Sequence, residues 1–154
     1  MSITANANAK GSDLAAIVGV IDPDVTAAGT VTTGWVAAKD FHQFMAVVMA
    51  GTLGASATLD AKIEQASDSS GTGTKDVSGA AITQLVKASN DDNQAIINFF
   101  PEDLDLANDF DHVRLSMTVG AATSDVAGLL FGLTARHGPA SNNDAASVAE
   151  IVTT

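Results

Sequence analysis

The sequence contains no cysteine, no tyrosine and a single tryptophan, and aromatic residues make up only 5% of it. Without cysteine the chain can form neither disulfide bonds nor thiolate metal sites, so its stability must come from packing or from association between chains. The scarcity of aromatic side chains also argues against a carbohydrate-binding surface, because such surfaces use the faces of Trp and Tyr rings.

Basic residues are few: seven Lys and Arg stand against eighteen Asp and Glu, which gives a net charge of -11. Nucleic-acid binding needs clustered cations that replace the counterions of phosphates, and attraction to an anionic membrane needs them too. The sequence therefore predicts neither nucleic acid nor membrane as a partner. The acidity either favours a partner surface of positive potential or only keeps the domain soluble. The cations lie apart, at Lys10, Lys39, Lys62, Lys75, Lys87, Arg114 and Arg136.

Long hydrophobic runs are also missing. The longest, Phe44 to Ala50, is far too short to cross a bilayer. Residues 1–10 are polar and lack the basic-then-apolar layout of a secretory signal. We therefore expect a protein made in the cytoplasm, without a membrane anchor.

What the sequence does contain is a series of short β-forming segments. Residues 57–64 alternate strictly between apolar and polar side chains, which predicts a strand with one solvated face. The run 44–49 has no polar face, which predicts a strand buried on both sides. Residues 113–119 and 126–136, separated by a turn, predict an antiparallel hairpin.

The segment Leu14 to Ile21 fits either a first strand or a short helix capped by Asp13, and its β-branched residues favour the strand. The sequence Asp22-Pro23-Asp24 predicts a turn after it. About seven or eight short strands separated by turn signals predict an all-β fold, a single antiparallel β-sandwich of jelly-roll or immunoglobulin-like type. We place this domain at 13–137, between a flexible N-terminal arm at 1–12 and a C-terminal arm at 138–154.

No pattern of catalytic or metal-binding residues is present. His42, His112 and His137 lie far apart in the sequence, and no Gly-x-Ser-x-Gly motif occurs. The segment 71–75 (GTGTK) lacks the spacing of a phosphate loop, so we interpret it as a surface loop. We predict no catalytic residues, no cofactor site and no metal site, and hence a protein that is not an enzyme. Three acidic turns supply oxygen ligands but lack the spacing of a calcium loop: Asp22-Pro23-Asp24, Asp91-Asp92-Asn93, and Glu102-Asp103 with Asp105.

The two arms, 1–12 and 138–154, and the Ser/Gly/Thr-rich loop 67–79 are the candidate interaction segments. Polar, low-charge ends can add to a neighbour's sheet or groove at little cost to the domain. The alternative is simple fraying of the chain ends.

Five stretches of the sequence carry a resemblance to known proteins: AAGTVTTGWV (27–36), GTLGASATLDAKIEQASDSSGTGTKDVSGAAITQL (51–85), DDNQ (91–94), FDHVRLSMTVG (110–120) and ARHGPASNNDAASVAEIV (135–152). Through them the chain, from Ala27 to the C-terminus, resembles a family of small proteins encoded in tailed-phage and prophage structural gene clusters, near the capsid genes. This resemblance implies a virion component, and most specifically a head decoration or cement protein on the outer surface of an HK97-like capsid. It implies as partners the major capsid protein and further copies of the chain, as a homotrimer. No catalytic residue is carried over from the family.

Two alternatives remain open. A neck or tail protein of the same virion would be present in only a few copies, whereas a decoration protein would be present in hundreds. A receptor-binding or carbohydrate-binding β-sandwich is a second class, and the nearly complete lack of aromatic residues weakens it.

Overall fold

The computed structural model describes residues 8–154, and these form two antiparallel β-sheets packed face to face as a sandwich. The predicted all-β sandwich is confirmed. Helical structure in the described residues is limited to short turns, and none of these helices has the length and apolar character needed to cross a bilayer. The strands in chain order are β1 (Ala15–Thr26), β2 (Gly29–Thr32), β3 (Val36–Ala37), β4 (Phe41–Ala50), β5 (Thr58–Ala66), β6 (Lys75–Ala81), β7 (Leu85–Val86), β8 (Gln94–Phe99), β9 (His112–Gly120) and β10 (Ser124–Ala135).

The two sheets differ in that the second has two additional short strands. The first sheet has the order β1-β10-β4-β8, and all of its pairings are antiparallel. The second has the order β2-β9-β5-β6, with the short strands β3 and β7 pairing to β9 and β5. The helical elements are α1 (Gly11–Leu14), α2 (Lys87–Asn90) and 3-10 turns at Ala38–Asp40, Pro101–Asp103, Leu106–Asn108 and Ala140–Asn143.

The core lies between the sheets and is built from alternate residues of the long strands. In β9 and β10 respectively, Leu115 and Leu130 are fully buried. Glycines make room for these larger side chains: a Cβ on Gly128 would lie 2.8 Å from Leu115 Cδ2, and one on Gly132 would lie 2.5 Å from the Phe41 ring. Gly128 lets β9 of the opposite sheet approach closely, and Gly132 leaves room for the Phe41 ring of the neighbouring strand β4 in its own sheet.

Most predicted strands are confirmed. Residues 58–64 of the predicted strand belong to β5, and the strand interpretation of 14–21 is correct from Ala15 onward, since only residues 11–14 are helical. Strand β6 begins at Lys75, inside the loop predicted at 67–79.

The predicted hairpin between 113–119 and 126–136 is wrong. Both segments are strands, but β9 pairs within the second sheet and β10 within the first. The chain crosses from one sheet to the other between Gly120 and Ser124, where Ala121 adopts a φ of 68°. Each strand then turns its apolar side to the shared core, which a flat hairpin could not achieve.

The predicted turn at residues 22–24 is also wrong. Strand β1 continues through it to Thr26, and the pairing with β10 shifts between Ile21 and Asp24. Pro23 is tolerated because β1 is an edge strand, where a missing N–H costs no hydrogen bond within the sheet. The segment is therefore a β-bulge.

Candidate protein-binding surface

The outer surface of the first sheet is unusually apolar. The core takes Phe44, Ala46 and Val48 from β4, so the residues between them point away from it. The same alternation in β10 turns Leu129 and Phe131 outward. We call the resulting surface the apolar face. Its large side chains are Ile17, Val20, Met45, Val47, Met49, Ile96, Leu129, Phe131 and Leu133.

Strand register arranges these side chains in rows across the sheet. One row runs Val20, Leu129, Val47 and Ile96, across all four strands. Ile96, on the edge strand β8, is 59% exposed, and the other members are half-buried by their neighbours. Apart from Asp125 at the start of β10, the remaining side chains of this surface are small or uncharged: Ala15, Gln43, Gln94, Asn98 and Ala127.

Part of this face could be inferred from sequence. The run 44–49 predicts burial on both sides, but only one side of β4 is buried in the core. Met45 and Val47 are half-buried on the other side. The absence of a polar face in this run was the available signal, and the buried core takes its β4 side chains from the opposite side of the strand.

The outer surface of the second sheet has the opposite character. Glu64 there accepts a hydrogen bond from Arg114 at 2.8 Å, and Lys62 lies 3.4 Å from the same carboxylate. The hydroxyls of Thr30 and Thr118 lie 2.9 Å apart. This surface is thus polar, and its charges pair with one another, as expected of a sheet face in contact with water.

Trp35 is not available as a platform for a sugar ring. The Arg114 guanidinium lies 4.4 Å from the centroid of its ring. The loop at Gly71 is so close to the indole that a Cβ there would lie 2.6 Å from Nε1. The Trp35 ring thus packs against Arg114 and the loop at Gly71.

An open cavity of about 430 Å³ lies at one end of the apolar face, where β4 ends and β10 begins. Met49 and Val25 contribute apolar lining, and Val25 is 65% exposed. The carboxylates of Asp24, Asp92 and Asp125 lie around it. Two of the acidic turns considered as calcium ligands thus meet here, but within residues 8–154 no three His, Asp or Glu side chains are placed to hold a metal ion.

The predicted C-terminal arm is partly integrated into the domain. Ala140 is fully buried, and the backbone N–H of Ala145 donates to the Ile17 carbonyl at 2.7 Å. Asp144 accepts from the Ile17 N–H at 2.8 Å, so this segment satisfies the outer edge of β1. The packed body therefore extends beyond the predicted boundary at 137. Lys10 Nζ donates to the Thr154 carbonyl at 2.6 Å, which places residue 154 beside the turn that precedes α1.

The predicted N-terminal arm, 1–12, lies mostly outside the described residues, which begin at residue 8. Its described end is not extended: Gly11 starts the helical turn α1, and the backbone N–H of Lys10 donates to Asp13 at 2.8 Å.

The predicted loop 67–79 is held by internal hydrogen bonds up to residue 74. Asp68 Oδ1 accepts from the backbone N–H groups of Ser70 at 2.9 Å and Thr72 at 3.1 Å. Hydrogen bonds from the side chain and then the backbone of Thr72 hold the pKa of Asp68 below its ordinary value. Lys75 lies 3.9 Å from the centroid of the Phe110 ring and pairs with Asp105. No helix follows Lys75, since β6 begins there.

The histidines belong to different elements: His42 lies in β4, His137 follows β10, and His112 begins β9, where its Nδ1 lies 2.6 Å from Asp111 Oδ1. In the third acidic turn, the Asp103 carboxylate accepts a hydrogen bond from the Phe100 N–H at 2.8 Å and so binds its own backbone.

No family model, no curated protein and no solved structure matches this chain.

Proposed function

We propose that this chain is a non-enzymatic structural protein of a tailed-phage virion, and specifically a decoration protein on the outer surface of an HK97-like head. The observation that carries the assembly role is the apolar face. Monomeric soluble proteins rarely expose broad contiguous apolar patches, and such patches mark protein–protein contacts. The resemblance of residues 27–152 to capsid-linked phage proteins supplies the particular setting.

The charge of the molecule supports the same role. The net charge of -11 favours a partner surface of positive potential, and carboxylates such as Asp24 and Asp125 surround the cavity at one end of the apolar face. A repeating capsid lattice would strengthen weak individual contacts through multivalency. In this proposal the partners are the major capsid protein and further copies of the chain.

The direct test is the copy number of this chain in purified virions, measured by mass spectrometry against the major capsid protein. A decoration protein is expected in a large, lattice-related ratio to the capsid subunit. A count of only a few copies per particle would instead assign the chain to the neck or tail, and absence from the particle would refute a virion role.

A second experiment addresses stabilisation. Heads that lack the chain are heated with and without the purified protein, and DNA release is followed with a fluorescent dye. Binding should raise the temperature of DNA release, because a ligand that binds only the intact state stabilises that state. An unchanged release temperature despite measured binding would contradict the cementing part of the proposal.

A further inference from the structure

We propose that the apolar face is covered by a second copy of this chain, packed sheet against sheet about a two-fold axis. This deepens the proposed function, since it assigns one of its two partners to a defined surface. It differs from the homotrimer that the resemblance implies. Its test uses the purified chain alone, so it can fail while the virion role stands.

The size of the face suits a stable dimer. The four strands have 12, 12, 10 and 6 residues, and at about 3.3 Å per residue and 4.8 Å between strands they give a flat footprint of roughly 630 Å². Specific protein interfaces bury about 600–1,000 Å² per partner. A partner that covered only Ile96 and its neighbours on the edge strand would leave most of the face in water.

The shape and chemistry of the face also fit a second copy. It is a four-stranded antiparallel surface, and sheets of this kind pack on one another at about 10 Å. Its large side chains stand in rows across the strands, so two copies can interdigitate them. No charged side chain lies within the rows, so no charge would be buried.

The two ends of β10 differ in charge in a way that suits a two-fold pair. Asp125 lies at its start beside the cavity, and Arg136 follows its last residue. The Arg136 guanidinium is 3.9 Å from Glu102 and 34% exposed, so this ion pair is loose. When two β10 strands run antiparallel across the interface, the acidic end of one copy lies over the Arg136 end of the other.

The test is the mass of the full chain in solution, by sedimentation velocity and light scattering over a range of concentrations. The wild type should have the mass of two chains. Val47→Lys, in the middle of the face, should shift the molecule to one chain, because it would bury an unpaired charge in the interface. Ile96→Lys should do the same, and its site on an exposed edge strand places little demand on folding.

The matched control is Thr118→Lys, which introduces the same charge at a half-exposed, β-branched position in the middle of the other sheet. It should leave the dimer intact, and circular dichroism should show native β-structure in all three variants. A monomeric wild type, a trimer, or a dimer that survives both Val47→Lys and Ile96→Lys would overturn the proposal.

Discussion

The close contact between Gly132 in β10 and the Phe41 ring of the neighbouring strand β4 makes a quantitative prediction about stability. A Cβ at this position would lie 2.5 Å from Cε2 and Cζ of Phe41 and 2.6 Å from Cδ2. Carbon atoms normally pack at about 3.5–4.0 Å, so the ring would have to move by roughly 1 Å. Phe41 is 1% exposed and packs edge-on against Phe44 at 5.5 Å, and Phe44 stacks on Phe99 at 5.1 Å. The ring therefore has no free space to enter.

We expect Gly132→Ala to lower the free energy of unfolding by about 2 kcal/mol, because overpacking a filled core costs about 1–3 kcal/mol. Alanine also lowers the backbone entropy of the unfolded chain relative to glycine, which favours the folded state by about 0.4–1 kcal/mol and offsets part of the strain. In a chain of this size the loss corresponds to a Tm lower by about 4–8 °C. The measurement is urea unfolding followed by circular dichroism, with scanning calorimetry for Tm.

Gly34→Ala is the matched control, since no atom lies within 4 Å of its Cβ position and its φ is not positive. It should leave stability within about 0.5 kcal/mol of the wild type or raise it slightly. In a Phe41→Leu background, Gly132→Ala should cost much less, because the clashing ring is gone. Equal urea midpoints for Gly132→Ala and the wild type would refute the packing argument.

Two further predictions concern single polar contacts. Thr33 is 4% exposed, and its Oγ1 accepts a hydrogen bond from the Leu115 N–H at 3.0 Å. Thr33→Val should therefore lower the free energy of unfolding in urea by about 1–3 kcal/mol. Thr118→Val on the polar surface is the control and should change it by less than about 0.5 kcal/mol. A small loss for Thr33→Val would contradict an essential role for this hydroxyl. Hydrogen bonds from Lys87 and from the Leu53 N–H hold the pKa of Asp91 below its ordinary value of 3.8. The Asp91 carboxylate therefore stabilises the folded state above pH 3.8, and this stabilisation is lost as the pH falls from 3.8 through the lower pKa of the folded state. Asp91→Asn should therefore reduce the difference in urea midpoint between neutral and acidic pH, and an unchanged acid dependence would show that this carboxylate does not contribute.

Predictions from sequence succeeded where a local pattern carries the information. The alternation at 57–64 identified β5, because side chains in a strand point to opposite faces whatever lies beyond them. The acidic charge and the lack of clustered cations follow from composition alone. The lack of a catalytic motif is likewise an observation on the sequence alone, and the non-enzymatic function stays a prediction.

The errors came from features that depend on partners distant in sequence. The segments 113–119 and 126–136 each have a clear strand pattern, but the pattern does not show whether a strand pairs with its sequence neighbour or lies across the core from it. Asp22-Pro23-Asp24 has the composition of a turn, and only its position on an edge strand makes it a bulge. The packing of Ala140 against the body likewise depends on contacts with β1.

By itself, the sequence determined an all-β chain, most of its strand positions, and an acidic molecule without thiol chemistry. Only the tertiary structure decided which sheet each strand joins, and that the outward side chains of β4 and β10 meet in one apolar face. The physical reason is that periodicity assigns side chains to the two sides of a strand. The pairing of strands far apart in sequence decides which side becomes the core and which side remains as a surface for another protein.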